Sequence, residues 1–183
     1  GDHRHRGLLM DFQPTLTGEL AVLRPTVAED WEGMFAVASD PLIWEQHPFH
    51  NRWQEPVFRA YFEDALASGG GLTILDKADG KIVGASRYAF PDAVRDEVEI
   101  GWTFIARDYW GGAWNREIKR MMLDHIHQYV SGAVFVVGED NLRSRRAMEK
   151  IGGVLQEGRV ERGNGHMLPG HCYYVIRRGE FRG

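Results

Sequence analysis

The stretch from residue 97 to residue 137 constrains the fold of this chain more than any other segment. Apolar and polar residues alternate over 98–104, which predicts a strand with one buried face. Apolar residues then recur at helical spacing over 115–129, and a continuous apolar run follows at 133–137. Strand, amphipathic helix and buried strand together predict one βαβ crossover, which places two parallel strands in one sheet.

The rest of the sheet is predicted to be antiparallel. Residues 72–75 and 82–88 flank Asp79-Gly80, a dipeptide typical of hairpin turns, and residues 154–162 and 167–177 form a later pair. The sequence therefore predicts an α/β (α+β) fold with a mixed, mostly antiparallel sheet of about six or seven strands and about four helices. The predicted helices cover residues 27–38, 58–65, 115–129 and 141–151.

Length and composition indicate a single domain. A chain of 183 residues with 43% hydrophobic residues fits one compact core, with residues 1–14 as a loose tail and 15–183 as the domain. The net charge of −4 argues against broad nucleic-acid binding, and no apolar run has the length of a membrane span. With one cysteine, Cys172, and no signal peptide, we expect a cytoplasmic protein.

A glycine-containing segment, Arg-Asp-Tyr-Trp-Gly-Gly-Ala-Trp-Asn, occupies residues 107–115 between the predicted strand and the long helix. The first N–H groups and the positive end of a helix favour a phosphate, and Gly111 and Gly112 would let a diphosphate approach the main chain. A glycine pair is also common in plain turns, and neither the P-loop nor the dinucleotide motif is present. The segment is a candidate anion site.

A second polar segment, Asn-Leu-Arg-Ser-Arg-Arg-Ala-Met-Glu-Lys-Ile-Gly, occupies residues 141–152. It predicts a short helix with cations on one face at Arg143, Arg146 and Lys150. Taken alone, the segment allows two interpretations, because Asn141 and Ser144 are also residues that cap helices or bond to the local backbone.

Together, the two segments resemble the GNAT acyltransferases, within them the branch that includes ribosomal-protein N-terminal acetyltransferases. In that superfamily a strand similar to Glu-Ile-Gly-Trp at 99–102 precedes a phosphate loop, Arg/Gln-x-x-Gly-x-Gly/Ala. A helix of pattern Asn-x-x-Ser-x-x-x-x-Glu-Lys-x-Gly follows the next strand. The second motif matches at every position, namely Asn141, Ser144, Glu149, Lys150 and Gly152.

Two features depart from the family pattern. The loop, aligned on Tyr-Trp-Gly, has Trp110, Ala113 and Asn115 where the family has Arg/Gln, Gly and Gly/Ala. Many members also carry a tyrosine seven residues after the motif asparagine as the general acid, and this chain has Met148 there. Methionine cannot donate a proton, so the acid must be another group.

The resemblance implies direct acetyl transfer from acetyl-CoA to an amine, with no metal. In the family the pantetheine lies between the strands at 98–105 and 133–137, and main-chain N–H groups near 102–104 hold the oxyanion. The residues implied in cofactor binding are Trp102, Thr103, Phe104, Ile105, Trp110, Gly111, Gly112, Ala113, Trp114, Asn115, Asn141, Ser144, Arg146 and Lys150.

The resemblance also implies the catalytic groups. Glu99 would accept the amine proton through water, with Glu97 on the same strand face as the alternative. A solvent-facing strand carboxylate is the other interpretation of Glu99. Ser144 would hydrogen-bond the leaving thiolate. The predicted acceptor contacts lie in an aromatic, proline-broken stretch whose rings suit a cationic amine, and they are Trp44, Glu45, His47, Phe49 and Trp53.

Three alternative functions differ in how well the sequence supports them. The histidines do not predict a metal site, because His125 and His127 point to different helix faces and no H-E-x-x-H motif or Cys pair is present. The missing tyrosine and the altered loop favour a non-catalytic acyl-CoA-binding or sensing module. A flavodoxin-like nucleotide binder requires several consecutive βα units, and only one crossover is predicted. The identity of the acceptor and the formation of a homodimer are left open by the sequence.

Overall fold

A computed structural model describes residues 9–183, and within them the strands form one sheet of eight. The strand order is β1-β2-β3-β4-β5-β6-β8-β7, with β5 and β6 as the parallel pair. The predicted mixed, mostly antiparallel sheet is confirmed, with eight strands instead of six or seven. The strands are β1 (Leu16–Thr17), β2 (Ala21–Pro25), β3 (Gly71–Asp76), β4 (Ile82–Asp92), β5 (Glu97–Ile105), β6 (Gly132–Gly138), β7 (Val154–Leu155) and β8 (His171–Arg177).

Five α-helices are present in this part of the chain. The four predicted helices are found, and the unpredicted one is a single turn, in which Asp40 accepts the Leu42 N–H at 3.0 Å and Pro41 takes the first helical position. Asp40-Pro41 therefore follows the end of the helix at 31–38 and begins the helix at 41–44. The helices are α1 (Trp31–Ala38), α2 (Pro41–Trp44), α3 (Glu55–Ser68), α4 (Gly112–Ile126) and α5 (Leu142–Lys150).

The backbone divides into two compact units. We call residues 13–88 and 101–121 the amino unit, and residues 9–12, 89–100 and 122–183 the carboxyl unit. Strand β5 contributes to both, because residues 97–100 belong to the carboxyl unit and the remainder of the strand to the amino unit.

The core of the amino unit is rich in aromatic residues. Trp44 is 1% exposed, its Nε1 donates to the Ala38 carbonyl at 2.8 Å, and its ring centroid lies 5.2 Å from that of Phe104. Trp44 was predicted to contact the acceptor from a proline-broken stretch, but α2 turns its ring into the core. The buried members of this core are Met34, Ala38, Trp44, Phe58, Tyr61, Phe62, Ala85 and Phe104.

A buried carboxylate connects α4 to β2 within the amino unit. Glu117 is 5% exposed and accepts backbone N–H groups from Glu19, Leu20 and Ala21 at 2.7–3.1 Å. Charge-assisted bonds of this kind are about twice as strong as neutral ones. Glu117 therefore fixes the position of the helix whose first residue is Gly112.

In the carboxyl unit, β6 pairs with β8 over its whole length but with β5 over three residues. The parallel ladder runs from Glu97↔Gly132 to Glu99↔Val134. The strands predicted at 154–162 and 167–177 are shorter than expected, and Glu161↔Met167 is an isolated bridge. Gly158 and Gly170 have φ values of 74° and 75°, which interrupt an extended chain.

The predicted loose tail, residues 1–14, is only partly described, since residues 1–8 lie outside the described residues. His125 Nε2 lies 2.6 Å from the Asp11 carbonyl in the carboxyl unit, and Gln13 Nε2 donates to the Gly71 carbonyl at 2.9 Å in the amino unit. Over residues 9–183, none of the helices combines the length and the apolar character needed to cross a bilayer.

Candidate functional site

Two glutamates at the start of β5 are buried and have different partners. Glu97 is 2% exposed, with Oε1 2.7 Å from Arg159 Nη1 and Oε2 3.2 Å from Arg177 Nη2. Glu99 is 4% exposed, and Arg162 Nε lies 3.3 Å from its Oε1. The interpretation of Glu99 as a solvent-facing strand carboxylate is therefore wrong.

The pKa of Glu99 is shifted into the neutral range by its surroundings. Burial raises this pKa to about 7, although the nearby charges of Arg162 and Arg159 pull it down. A carboxyl group with a pKa near 7 can both accept and release a proton at neutral pH. Both Glu97 oxygens contact guanidinium groups, whereas Glu99 has a single ion-pair contact among the described residues.

The hairpin between β7 and β8 supplies arginines that sequence reasoning missed. The Arg159 guanidinium lies 5.3 Å from the Tyr173 ring centroid, and that of Arg162 lies 5.0 Å from the Phe90 centroid. No motif or sequence spacing connects Arg159 and Arg162 to β5. Their proximity to Glu97 and Glu99 is visible only once the hairpin is placed in the structure. Beside them is a cavity of about 510 Å³, lined by Arg95, Glu97, Leu155, Gln156, Glu157, Arg159 and Arg177.

Helix α5 begins with the cap that its sequence allowed. Asn141 Oδ1 accepts the Ser144 N–H at 3.2 Å, so this side chain stabilises the helix start. Arg145 Nε donates to Tyr174 Oη at 3.0 Å, and its Nη1 donates to the Glu139 carbonyl at 3.0 Å. Ser144 is half-buried in the first turn.

The cations of α5 differ in exposure. Arg143, Arg146 and Lys150 are exposed to solvent, whereas Met148 is 6% exposed and packs inward. The exposed cations can bind an anion at little desolvation cost. The buried thioether occupies the place where many members of the resembled family have a proton-donating tyrosine.

The start of α4 has the features of an anion site. Gly111 has a φ of 123°, which residues with a side chain rarely adopt, and α4 begins at the next residue. A Cβ added at Gly112 would collide with the Arg116 guanidinium, so this cation lies directly over the first turn. Exposed backbone N–H groups with a cation above them fit a phosphate.

The flanking residues of this turn bond within the amino unit. Trp110 is 52% exposed, and its Nε1 donates to the Ile105 carbonyl at 2.9 Å. The Trp114 ring lies edge-on to Tyr109, with centroids 4.7 Å apart. Asn115 Oδ1 accepts from Lys119 Nζ at 3.1 Å, and Ala113 is exposed. Trp110 therefore makes a hydrogen bond to the backbone at the position where the family loop has Arg or Gln.

A strained residue interrupts β5 at the predicted oxyanion stretch. Trp102 has a φ of 54°, which costs roughly 1–3 kcal/mol for a residue with a side chain. Tyr61 Oη donates to the Trp102 carbonyl at 2.6 Å, and the Arg87 guanidinium lies 4.6 Å from the indole centroid. Thr103 Oγ1 lies 2.8 Å from Ser86 Oγ. These contacts stabilise an unusual backbone that simple alternation over 98–104 does not predict.

The predicted acceptor contacts fall into two groups. The first contains Trp44, His47 and Phe49, which contact one another, and the second contains Glu45 and Trp53. The His47 ring lies edge-on to Trp44, with centroids 5.4 Å apart, and His47 Nδ1 accepts the Phe49 N–H at 3.1 Å. The side chain of Glu45 is exposed to solvent, and that of Trp53 is 39% exposed.

The first group surrounds an arginine that the sequence did not single out. The Arg52 guanidinium lies 4.4 Å from the Phe49 ring centroid, 5.0 Å from that of Tyr61 and 5.6 Å from that of Trp44. Over residues 9–183, no three His, Cys, Asp or Glu side chains are arranged to hold a metal ion.

Comparison with known protein families identifies one domain type. A family model described as an acetyltransferase (GNAT) domain matches residues 21–154, which is most of the chain. A search of curated proteins finds no match.

Solved structures with the same fold include several acetyltransferases. A GCN5-related N-acetyltransferase from Brucella melitensis is 18% identical, with a TM-score of 0.72, covering 92% of this chain and 80% of its own. A GNAT-family protein from Chromobacterium violaceum is 16% identical, with a TM-score of 0.74 and coverages of 92% and 88%. Spermidine N-acetyltransferase from Vibrio cholerae, solved with CoA and spermine, is 13% identical, with a TM-score of 0.62 and coverages of 89% and 98%. At these identities the likeness shows the fold.

Proposed function

The chain belongs to the GNAT acetyltransferase family, and from that premise we propose that it transfers an acetyl group from acetyl-CoA to a primary amine. The acceptor is a small molecule or a protein N-terminus, and attack is direct, in a ternary complex. The observation that carries this proposal is the buried Glu99, whose pKa is raised to about 7. A structural carboxylate on a strand does not need such a pKa, whereas a base that works at neutral pH does.

The proposed step requires a proton acceptor because amines are largely protonated near pH 7. Glu99 takes the amine proton through water, the nitrogen forms a bond to the acetyl carbon, and the carbon–sulfur bond breaks. The nitrogen loses its second proton through water to the thiolate, which leaves as the CoA thiol. Arg162 keeps Glu99 partly ionised at neutral pH, because an adjacent cation favours the carboxylate form.

Cofactor binding is assigned to residues whose local geometry suits it. The turn from Trp110 to Asn115 opens α4, and Arg116 adds a cation over that turn, which supports binding of the diphosphate. The strained backbone at Trp102 supports an oxyanion role for the N–H groups that follow, since strain of this kind is common at functional sites. Exposed Arg146 and Lys150 supply further phosphate contacts.

Ser144 is proposed to stabilise the leaving thiolate. Its position in the first turn of α5 supports this role, and the buried Met148 supplies no competing acid. The finer assignment, to the ribosomal-protein N-terminal acetyltransferase branch, is supported by the motif in α5. The Asn141 cap is compatible with it, because the amide nitrogen of a capping asparagine remains a donor.

The proposal is tested first by titration calorimetry with acetyl-CoA and with free CoA. We expect dissociation constants near the micromolar range, about −8 kcal/mol. Arg116→Ala should weaken binding by about tenfold, because one charge-assisted hydrogen bond contributes about 1.5 kcal/mol. Arg120→Ala, an exposed cation on the same helix, should bind as the wild type does.

Thiol release with a panel of primary amines then separates the two functions that share this site. Release of CoA that depends on the amine supports the transferase. Tight binding with no release across the panel would favour the non-catalytic acyl-CoA-binding or sensing module. No heat at millimolar ligand would overturn both.

A further inference from the structure

Two arginines of the amino unit lie among aromatic rings. Arg87, on β4, is 2% exposed, with its guanidinium 4.6 Å from the Trp102 ring centroid and 5.4 Å from that of Tyr61. Arg52 is half-buried between α2 and α3, and its guanidinium lies 5.0 Å from the same Tyr61 centroid. One tyrosine therefore contacts both cations.

Arg87 is only partly neutralised. Its Nη1 lies 2.6 Å from Asp64 Oδ2, but the Asp64 side chain is 70% exposed and therefore strongly hydrated. Its Nη2 donates to the Tyr61 carbonyl at 3.4 Å. Its Nε is buried and makes no hydrogen bond to any described residue. A buried donor without a partner is costly, and a ligand acceptor would remove that cost.

Arg52 has aromatic neighbours in place of an acidic one. Within residues 9–183, no carboxylate lies within ion-pair distance of its guanidinium, which faces the rings of Phe49, Tyr61 and Trp44. Burial lowers the pKa of Arg52 and the positive charge of Arg87 lowers it further, whereas Tyr61 and the Asp64 carboxylate raise it without reversing the direction. The two guanidinium groups therefore repel one another across Tyr61.

The charges of Arg52 and Arg87 determine which acceptor can bind beside the rings of Phe49, Tyr61 and Trp44. A polyamine or another cation would meet two like charges, and the ring faces that could bind an ammonium group are already covered by Arg52. A carboxylate would be attracted by the charges of both arginines and could accept paired N–H bonds from the half-buried Arg52, whereas Arg87, which is 2% exposed, contributes its charge. The prediction that the rings around Trp44 and Phe49 bind a cationic amine is thus revised.

Resting on the proposed function, we propose that Arg52 and Arg87 form a carboxylate subsite, and that the acceptor is an amine carrying a carboxylate close to it, as a free amino acid does. Tyr61 connects this subsite to the reaction, because its hydroxyl donates to the carbonyl of Trp102 in the proposed oxyanion stretch. The carboxylate binds to the arginines and leaves the amine to react.

The test compares matched acceptors in the thiol-release assay, namely amino acids, the amines that lack their carboxylate, and spermidine. We expect kcat/KM at least about tenfold higher for the amino acids, since one charged hydrogen bond contributes about 1.5 kcal/mol or more. Arg52→Gln should raise KM for amino acids about tenfold and leave the decarboxylated amines unchanged, and Arg52→Lys should restore part of the difference. Equal kcat/KM for both classes in the wild type would overturn the subsite.

Two controls separate this inference from the transferase reaction itself. Arg59 lies 3.7 Å from the Trp31 ring centroid and is exposed, so Arg59→Gln removes a similar cation–π contact and should leave acceptor preference unchanged. Calorimetry with N-acetyl amino acids, without acetyl-CoA, measures the subsite independently of catalysis. Binding that Arg52→Gln abolishes supports the subsite even if no amine reacts. Turnover of amines with no carboxylate preference would leave the transferase in place and reject the subsite.

Discussion

The arginine clusters of the two units differ in how their charges are neutralised. In the carboxyl unit, Arg159 and Arg177 both contact Glu97, and Arg162 contacts Glu99. In the amino unit, Arg52 contacts rings and Arg87 contacts one exposed carboxylate. The first arrangement tunes the protonation of an acid, whereas the second leaves positive charge for a ligand.

Within the carboxyl unit, Glu97 and Glu99 can be compared directly. Glu97 and Glu99 lie two residues apart on one strand and are both buried, yet Glu97 has two ion pairs and Glu99 has one longer contact of 3.3 Å. Burial without full neutralisation raises the pKa of Glu99. We therefore expect substitutions at Glu99 to affect catalysis and those at Glu97 to affect stability.

The largest expected effect is at Glu99. Glu99→Gln keeps the shape and removes the base, so kcat should fall about 10²- to 10⁴-fold with acetyl-CoA affinity unchanged. The measurement is thiol release with an accepted amine. Glu161→Gln, which removes a half-exposed partner of Arg95, is the control and should keep wild-type kcat. Equal losses in the two variants would contradict the role of Glu99.

The next effect is on stability, at Glu97. Glu97→Gln leaves Arg159, whose side chain is 7% exposed, without its countercharge, so the free energy of unfolding should fall by about 3 kcal/mol. Urea denaturation measures the loss, while kcat of the folded fraction should remain close to wild type. A variant as stable as the wild type would show that Glu97 and Glu99 are equivalent, and the comparison between them would fail.

A smaller effect is expected at Arg162, where the pH dependence is the readout. Arg162→Gln removes a cation that lowers the pKa of Glu99, so this pKa should rise above about 7 by roughly one unit. The rate requires ionised Glu99, so its acid limb should move to higher pH, with up to about a tenfold loss at pH 7 that is recovered near pH 9. Arg95→Gln should leave the profile unmoved. An unchanged profile in Arg162→Gln would exclude Glu99 as the titrating group.

The smallest effect concerns the amino unit. Tyr61→Phe removes the 2.6 Å bond to the Trp102 carbonyl and should lower the free energy of unfolding by about 1–2 kcal/mol. Tyr109→Phe removes a 2.9 Å bond to the Asp76 carboxylate, which water can replace, and should cost less. Thermal unfolding compares the two. If Tyr61→Phe costs no more than Tyr109→Phe, this hydroxyl does not stabilise the strained backbone.

The sequence predicted the fold better than the site, because periodicity reports burial and says little about partners. The alternation in β5, the long stripe of α4 and the apolar β6 were enough for the crossover. The turn of α2 was missed because Asp-Pro ends one helix and starts another. The strands at 154–162 and 167–177 were predicted too long because the sequence does not show that Gly158 and Gly170 adopt positive φ.

The site depends on contacts that no local pattern contains. The α5 motif pointed to Ser144, and the resemblance pointed to Glu99, but neither indicated that Arg162 sets the Glu99 pKa across a hairpin. In the sequence, Arg52 is one cation in a loop, and only the structure shows the aromatic rings that surround its guanidinium group. Long-range pairing of buried charges requires the tertiary structure, since partners far apart in sequence leave no spacing to recognise.

The role proposed for Glu99 requires a carboxyl group whose pKa lies near neutral pH. Titration of the glutamate carboxyl carbons by ¹³C NMR, with the Glu99 resonance assigned by its absence in Glu99→Gln, measures this directly and needs no acceptor. We expect a midpoint near pH 7 for that resonance. A midpoint close to 4.5, the ordinary value for a glutamate, would contradict it.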